Sequence, residues 1–597
     1  MSTISSLFSL DRFRQEAASL LASVESCASL DEARATLFRG VSEHQFDTFA
    51  NEKALAPDEI IRCRDCARAL RSLFKERSDS LAGMSVAEAL WDIARSVPRS
   101  DLQPGFYAEL IHLVCGLEGR APLPPAEDAR LPAGVDGREA AALRSAALDM
   151  LWERVEGAMA RYSDGLAPES VERRARRRAL ILSELGGDDS DWTDWRWQVA
   201  NIVRDLPTLE RLVHLEPQER AAVQGAHEAR LPFGITPYYL SLMDDAPSRG
   251  RDIAIRAQVL PPAGYVKEMA AHKGERERAF DFMLERDTSP TNLVTRRYPA
   301  IAILKPFLTC PQICVYCQRN WEIEDAMASQ ALASDEDIEA ACDWIGRHPA
   351  LREILITGGD ALSISNERLA KIVGRLAAID HIDMIRIGTR TLVTLPMRIT
   401  DELVHMLASF RDPGKRELCV ITHVEHAYEV TPELVAAVER LRRAGISIHN
   451  QHVYTFFVSR RFENARLRML LRRSGILPYY TFVPKGKEET AAYRVPLARL
   501  LQEQQEEARL LPGLRRSDES VYNVPGLGKN YVRAAQHRDL LSIRPDGSRV
   551  YEFHPWEKGV VTQNSYVGSD VPILTYLERL SELGECTSDY ASIWYYY

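Results

Sequence analysis

Three cysteines, Cys310, Cys314 and Cys317, stand at C-x3-C-x2-C spacing in one short segment. A [4Fe–4S] cube has four irons, and each iron is normally held by a cysteine thiolate. Three thiolates on a single loop would leave one iron without a protein ligand, free to bind a small molecule and to pass it an electron. The spacing is not a usual zinc spacing, although a zinc site or a group of buried thiols is the alternative.

The segments around the cysteines indicate how the chain positions them. From about residue 300, short apolar runs of strand-like composition alternate with amphipathic helical stretches. This alternation predicts parallel βα units, and six such units predict an α/β fold with a TIM-like partial (β/α)6 barrel. The expected strands are 302–308, 353–357, 384–388, 418–423, 447–451 and 479–483. The cysteines follow the first strand, at the carboxyl end where such barrels carry their functional loops.

Polar or glycine residues stand at the carboxyl ends of the next four expected strands. They are Thr357, Gly358, Gly359 and Asp360 at the second strand, Thr389 after the third, His423 at the fourth and Gln451 at the fifth. The two glycines would let the backbone approach a ligand closely. Any one of these residues could be an ordinary rim residue, but their repeated position at strand ends favours a shared site.

Near the end of the chain, Lys529 follows the turn-forming segment Pro525-Gly526-Leu527-Gly528. A lysine beyond such a turn is often an ordinary surface residue. An ε-amine held in a closed site can instead carry pyridoxal phosphate (PLP) through a covalent bond. The spacing alone leaves both interpretations open.

These segments together resemble the lysine 2,3-aminomutase family, whose members are PLP-dependent radical S-adenosylmethionine (SAM) aminomutases, and they are most similar to glutamate 2,3-aminomutase. The cysteine spacing also resembles the signature of the radical SAM superfamily. The resemblance runs over about residues 191–533 and includes 195–198, 235–244, 297–299, 358–362, 386–390 and 395–400. It implies an isomerase that uses a [4Fe–4S] cluster, SAM and PLP.

The resemblance implies a role for each candidate residue. The three cysteines would hold the cluster, and SAM would bind at the open iron against the strand-end residues named above. Lys529 matches the catalytic lysine that carries PLP, and Arg297 and Tyr298 match residues close to PLP. Arg319 matches the arginine that clamps the α-carboxylate of the substrate, for which bidentate geometry is needed.

Two departures from the family members that act on lysine indicate the substrate. Those members hold the distal ammonium of lysine with two aspartates, and the matching positions here are Lys485 and Asn523. A lysine repels an ammonium but attracts a carboxylate, and the same pair is typical of glutamate 2,3-aminomutases. The resemblance therefore implies an acidic amino acid, with L-glutamate converted to β-glutamate.

Several alternatives stay open. Aspartate differs from glutamate by one methylene, which is worth only about 1–3 kcal/mol in a pocket, and Lys485 could point to solvent. The substrate could be lysine or arginine, or the cofactors could serve a deaminase, a decarboxylase or a desaturase. An alternative from another class is a non-catalytic Fe–S or zinc scaffold protein whose helical extension docks a partner.

The chain of 597 residues is expected to divide into four regions. These are a helical N-terminal extension at 1–185, a helical family-specific region at 186–295, the radical SAM partial barrel at 296–485, and a C-terminal region with the PLP-lysine and the tail at 486–597. The basic run at 173–178 is expected to be a solvated helix face.

Composition also limits the partners and the compartment. The net charge of −10 argues against a nucleic-acid partner, and no apolar run reaches the roughly 20 residues that cross a bilayer. The first residues lack the pattern of a signal peptide, and the ten cysteines form no disulfide framework. We expect a cytoplasmic homo-oligomer with a small-molecule amino acid substrate and an electron donor such as flavodoxin or ferredoxin.

Overall fold

The computed structural model describes residues 4–50, 56–123, 134–245, 247, 250–484, 488–555 and 564–597. No helix within these ranges combines the length and the apolar character that crossing a membrane requires.

The N-terminal part of the chain is helical, as the sequence predicts. Its helices are α1 (Leu10–Glu16), α2 (Ala18–Val24), α3 (Leu30–Ala50), α4 (Pro57–Leu73), α5 (Glu76–Ala82), α6 (Val86–Ala94), α7 (Pro104–Leu117), α8 (Gly137–Met159) and α9 (Pro168–Leu185). Proline begins α4, α7 and α9, where its missing N–H would have no helical partner in any case. Helix α7 is buried along almost its whole length, and α1, α3 and α4 pack against it.

Short helices connect the N-terminal part to the first strand. They are α10 (Asp189–Thr193), α11 (Trp195–Ala200), α12 (Leu206–Leu212), α13 (Pro217–Glu228), α14 (Pro237–Leu240), α15 (Ile253–Ala257), α16 (Ala263–Ala271) and α17 (Arg276–Phe280). Side chains of Asp188, Asp194, Asp205 and Thr236 accept backbone N–H groups at the starts of α10, α11, α12 and α14. Such caps satisfy N–H groups that the first helical turn leaves without a partner, so they fix where these helices begin.

A nine-stranded sheet forms the centre of the molecule. Its strands are β1 (Val294–Thr295), β2 (Ile301–Phe307), β3 (Glu353–Gly358), β4 (Met384–Gly388), β5 (Glu417–Thr422), β6 (Ser447–Val453), β7 (Leu477–Val483), β8 (Glu519–Val524) and β9 (Gly528–Tyr531). The spatial order follows the chain. Strands β2 to β8 are parallel, and the edge strands β1 and β9 are antiparallel to their neighbours.

Helices alternate with the parallel strands. They are α18 (Asp335–Gly346), α19 (Asn366–Ala377), α20 (Thr391–Thr394), α21 (Asp401–Ala408), α22 (Pro432–Arg443), α23 (Glu463–Arg473) and α24 (Leu497–Leu510). The six expected strands correspond to β2–β7, so the prediction of an α/β fold with a parallel sheet is confirmed. Strands β8 and β9 were not predicted, because the short Glu519–Val524 segment mixes polar and apolar residues and gives no clear strand pattern.

The chain ends in a smaller antiparallel sheet and a helix. These elements are β10 (Arg538–Ile543), β11 (Arg549–Phe553), β12 (Tyr566–Ser569) and α25 (Ile573–Glu582). They share one hydrophobic core with α1–α4, α6 and α7, whereas strands β1–β6 form another core with α18, α19, α21, α22 and α23. The N-terminal helices therefore pack against the C-terminal part of their own chain. The four expected region boundaries stay a prediction.

The C-terminal tail is buried within this shared core. The ring of Trp594 stacks on His112 of α7 at 4.4 Å between ring centres. Arg549 Nη2 donates a hydrogen bond to the Trp594 carbonyl at 2.7 Å, and Arg538 Nη2 donates to the Tyr597 carbonyl at 3.0 Å. The last residues therefore join the N-terminal helices to the small C-terminal sheet.

The expectation of a solvated basic face at 173–178 is wrong. Arg174 and Arg177 are only 6% and 3% exposed. Arg173 pairs with Asp244 at 3.3 Å, and Arg177 pairs with Asp245 at 2.8 Å. Helix α9 turns part of this face toward the segment after α14, where the buried Asp244 and the exposed Asp245 compensate two of the arginines.

Candidate active site

The cysteine loop follows β2 and is anchored to the helical region that precedes the sheet. Ile313 donates its backbone N–H to the Gly234 carbonyl, and Val315 donates to the Gln258 carbonyl, both at 2.9 Å. Cys317 closes a tight turn by donating to the Cys314 carbonyl at 3.1 Å. These backbone contacts fix the loop that carries the three half-buried thiols.

Burial stabilises the protonated form of at least two of the three thiols. Burial, together with the charges of Asp360 and the other two cysteines, raises the pKa of Cys310 well above its usual range. Burial raises the pKa of Cys314 to about 11, although the guanidinium of Arg390 opposes this. Only thiolates bind iron or zinc, so such thiols need a strongly bound cation to lose their protons at neutral pH.

The Gly358-Gly359 turn after β3 packs directly on the cysteine loop. Gly359 donates its N–H to the Phe307 carbonyl at 2.6 Å, and Asp360 donates to the Thr309 carbonyl at 3.0 Å. A Cβ at residue 359 would overlap the Thr309 carbonyl, and Gly358 has a φ of +110°. Contact between two loops therefore requires the glycines, and their predicted contact with SAM stays a prediction.

Asp360 and Thr389 connect the ends of two neighbouring strands. The buried Asp360 carboxylate accepts hydrogen bonds from Thr389 Oγ1 at 2.6 Å and from the Arg390 N–H at 2.8 Å. These two side chains thus brace the end of β3 against the end of β4. A direct contact of Thr357, Asp360 or Thr389 with SAM stays a prediction.

Arg390 links the cysteine loop to the β4 and β5 ends, a role that the sequence did not reveal. Its Nη1 donates to Cys314 Sγ at 2.8 Å, and its Nη2 lies 2.8 Å from Glu429 Oε1 and also contacts Gln258. Its Nε donates to the His423 carbonyl at 3.3 Å. The only sequence signal was the position of Arg390 directly after Thr389, at a predicted strand end.

His423 and Gln451 lie at the same edge of the sheet as the cysteine loop. Burial, with a smaller effect of Arg390, lowers the pKa of His423 to about 4, so the imidazole is neutral at physiological pH. Gln451 is partly exposed on β6 and is in register with Tyr480 on β7. Both residues are thus positioned with the other candidates, and their contact with SAM stays a prediction.

The predicted PLP-lysine lies on the hairpin of β8 and β9. Lys529 is opposite Asn523 across this hairpin. Lys529 Nζ donates a hydrogen bond to the Tyr298 hydroxyl at 3.3 Å and lies 4.4 Å from the centre of the Tyr298 ring. The ring of Tyr480 is 5.1 Å from the same ammonium. The structure therefore brings together the predicted PLP residues Lys529 and Tyr298 and the predicted substrate residue Asn523.

Arg297 has the properties expected of a phosphate-binding residue. Its Nη2 donates to Glu285 Oε1 at 2.8 Å. Its Nε is buried and has no hydrogen-bond partner among the residues that the structure describes. A buried guanidinium N–H without an acceptor is costly, and a phosphate oxygen would supply the acceptor. The residues present therefore fit PLP, with Lys529 as the covalent link and Arg297 at the phosphate.

Arg319 belongs to a buried group of charges that the sequence did not reveal. Its Nη1 contacts Glu285 Oε2 and lies 3.0 Å from Glu322 Oε2. Lys305 Nζ lies 2.7 Å from Glu322 Oε1 and 3.3 Å from Glu285 Oε2. The pKa of Glu285 is lowered to about 2, because the attraction of Arg319, Arg297 and Lys305 outweighs burial, which raises it. We call these five residues the ionic cluster.

Lys485 and its neighbour Lys487 lie outside the residues that the structure describes. The predicted contact of Lys485 with the side-chain carboxylate of the substrate therefore stays a prediction. Asn523, the other residue of the predicted pair, is 8% exposed.

Comparison with known proteins places this site in a family. An uncharacterised KamA family protein of Methanocaldococcus jannaschii is 43% identical over 600 residues, which cover 96% of this chain and 95% of the relative. The chain belongs to the KamA family. None of the protein-family models that were compared matches the chain.

Two KamA-related enzymes with assigned activities are more distant. The glutamate 2,3-aminomutase of Clostridioides difficile is 32% identical and aligns with 54% of this chain and 72% of its own length. The L-lysine 2,3-aminomutase of Clostridium subterminale is also 32% identical and aligns with 61% of this chain and 84% of its own length. The family resemblance is thus confirmed, and with it the class, a radical SAM isomerase that uses a [4Fe–4S] cluster, SAM and PLP.

Among solved structures, Streptococcus suis SuiB bound to S-adenosylmethionine matches 43% of this chain and 53% of its own, with 11% identity and a TM-score of 0.29. A likeness at that level carries no argument about fold or function.

Proposed function

We propose that this KamA family member is a 2,3-aminomutase that moves the α-amino group of an acidic amino acid to the β-carbon, with L-glutamate as the first substrate. The chemistry needs a radical source and a PLP site that both contact the same bound substrate. Both must lie within a few ångströms of the reacting atoms, since radicals have to be kept from water and from other partners.

The observation that carries the proposal is a continuous path of contacts between the two sites. Arg319 donates its backbone N–H to Cys317 Sγ at 3.3 Å, and its guanidinium meets Glu285, which holds Arg297 at 2.8 Å. Tyr298, the next residue, contacts Lys529. The loop of the cluster cysteines and the PLP-lysine thus share one set of charged side chains.

Each residue has a part in this proposal. When bound, the cluster with SAM supplies a carbon-centred radical, and PLP carries the amino group while it moves. Arg319 clamps the α-carboxylate, which orients C3 of the substrate toward the cysteine loop. Lys529 and Tyr298 hold the PLP side, and Arg390 holds the cysteine loop against the strand ends. Lys485 and Asn523 are proposed to face the side-chain carboxylate.

We propose in addition that the nine-stranded sheet forms the partial barrel expected from the sequence. Tyr298 precedes β2 and Lys529 is on β9, and strands seven neighbours apart in a flat sheet would be about 30 Å apart. The contact between these residues supports a sheet that curves until its two edges face each other. The electron donor and the oligomeric state stay predictions.

The test is anaerobic reconstitution of the chain with iron, sulfide and PLP, followed by SAM, a chemical reductant and nitrogen-labelled L-glutamate. We expect labelled β-glutamate, with the label on C3. Release of the label as ammonia, loss of carbon dioxide, or a double bond in the product would identify a deaminase, a decarboxylase or a desaturase instead. Reaction with lysine but with neither acidic amino acid would contradict the proposed substrate.

A further inference from the structure

We propose that Lys305 contributes to specificity for an acidic substrate, together with Lys485 and Asn523, by pairing with the side-chain carboxylate of the substrate beside Arg319. The inference rests on the proposed function, because it names a contact for the same acidic amino acid. It concerns a residue that no sequence motif includes.

Lys305 is the only charged residue of β2, whose sequence is IAILKPF. Along this strand Ala302 and Leu304 are buried against the helices, whereas Ile301, Ile303 and Lys305 are partly exposed on the other face. Alternate residues of a strand point to opposite faces, so Lys305 points away from the helical layer. A Cβ on Gly358 would lie 3.1 Å from Lys305 Cβ, which places Lys305 beside the turn that packs on the cysteine loop.

Lys305 and Arg319 share their counter-ions. A single oxygen, Oε2 of Glu285, contacts both Lys305 Nζ, at 3.3 Å, and Arg319 Nη1. Glu322 spans the same two cations, with 2.7 Å to Lys305 and 3.0 Å to Arg319. The two positive ends therefore stand on the same two carboxylates.

The ionic cluster carries one surplus positive charge. Arg297 and Arg319 already balance Glu285 and Glu322, and both arginines contact Glu285 directly. Lys305 adds a third cation, although its side chain is only 12% exposed. Buried cations are costly unless anions accompany them, and the phosphate of PLP at Arg297 and the carboxylates of a ligand at Arg319 and Lys305 would supply such anions.

Both cations keep donors for a ligand. An ammonium has three N–H donors, and the two glutamates take two of those on Lys305. Both glutamates contact Arg319 through Nη1, which leaves the Nε and Nη2 edge for bidentate binding of the α-carboxylate. In this proposal one carboxylate of the substrate binds Lys305 and the other binds Arg319, and both glutamates keep their contacts.

The test compares substrate binding by the PLP-loaded enzyme, followed through the change in PLP absorbance. L-Glutamate and L-glutamine have nearly the same shape, but only glutamate carries a second carboxylate. We expect the wild type to prefer glutamate, and Lys305→Met to reduce that preference about 10- to 100-fold, the range of one charge-assisted hydrogen bond. Lys305→Arg retains the charge and should retain most of the preference.

The outcomes separate a specificity role from a structural role. Equal weakening of glutamate and glutamine by Lys305→Met would mean that Lys305 only supports the ionic cluster, and the inference would be overturned. An unchanged preference in Lys305→Met, together with a lost preference in Lys485→Met, would assign the role to Lys485 alone. If Lys305→Met does not fold, Lys305→Gln provides the same comparison.

The proposed function can fail separately. If the wild-type enzyme converts lysine and binds neither glutamate nor aspartate, the proposal of an acidic substrate would be wrong. If the wild type makes β-glutamate, and if Lys305→Met and Lys305→Gln keep its preference for glutamate over glutamine, only the proposed role of Lys305 would be wrong.

Discussion

The hydroxyl of Tyr298 accepts a hydrogen bond from Nζ of Lys529 at 3.3 Å, across a separation of 231 positions in the chain. Tyr298 stands just before β2, and Lys529 stands on the edge strand β9. Their contact joins the two ends of the sheet at one point. The predicted PLP site is therefore built by both ends of the sheet at once, and a change at either end should affect it.

Replacing Lys529 tests the covalent PLP site. Lys529→Ala removes the amine that the proposal assigns to PLP, so we expect the protein to lose covalently bound PLP and its activity. Borohydride reduction followed by mass spectrometry of the peptide measures the link. Lys415→Ala is the matched control, because Lys415 is exposed and its ion pair with the exposed Asp380 is long, at 3.9 Å. Covalent PLP in Lys529→Ala would contradict the assignment.

Replacing Cys314 tests the cluster ligands. Cys314→Ala leaves two cysteines on the loop, which cannot hold a site-differentiated [4Fe–4S] cluster. We expect a large fall in bound iron, with no SAM cleavage. Cys586→Ala, at an exposed cysteine far along the chain, should bind iron as the wild type does. A brown, fully iron-loaded Cys314→Ala protein would show that other residues bind the metal.

Replacing Gly359 tests the packing of the two loops. A methyl group at residue 359 would overlap the Thr309 carbonyl, so Gly359→Ala should displace the cysteine loop and reduce iron incorporation. Gly346→Ala is the control, since a Cβ there meets nothing within 4 Å. That change should alter stability by no more than about 1 kcal/mol. Normal iron content in Gly359→Ala would show that the loops can move apart without consequence.

Arg319→Lys tests the carboxylate clamp while keeping the charge of the ionic cluster. A lysine cannot make the bidentate contact, and we expect kcat/KM to fall about 10- to 100-fold, the range of one lost charge-assisted hydrogen bond. Arg352→Lys, at a half-exposed arginine paired with Asp383, should leave kcat/KM unchanged. An Arg319→Lys enzyme with wild-type kcat/KM would rule out the clamp.

Glu285 makes the stability of the ionic cluster dependent on pH. The pKa of Glu285 is about 2 in the folded chain, below the usual 4.5. Its contribution to stability is therefore complete above about pH 4.5 and is lost as the pH falls toward 2. Glu285→Gln should lower the melting temperature strongly at pH 7 and less at pH 3. The same difference at both pH values would contradict this.

The sequence by itself determined the elements and the chemistry that they can carry. Alternating apolar runs and amphipathic helices predicted β2–β7, because each strand and helix shows its own periodicity locally. The spacing of Cys310, Cys314 and Cys317 needed no knowledge of the fold, since it is read directly from eight consecutive residues. Lys529 was identified through the family resemblance, and the structure placed it against Tyr298.

Only the tertiary structure decided which distant side chains meet. Strand alternation shows that Lys305 and Ala302 face opposite sides, but it does not show that Lys305 meets Glu285 and Glu322. Arg390 at Cys314 and Glu285 between Arg297 and Arg319 likewise join segments far apart in the chain. Such charges are buried only because several segments converge on them. Their partners therefore depend on how the strands and the loops pack, which no local pattern records.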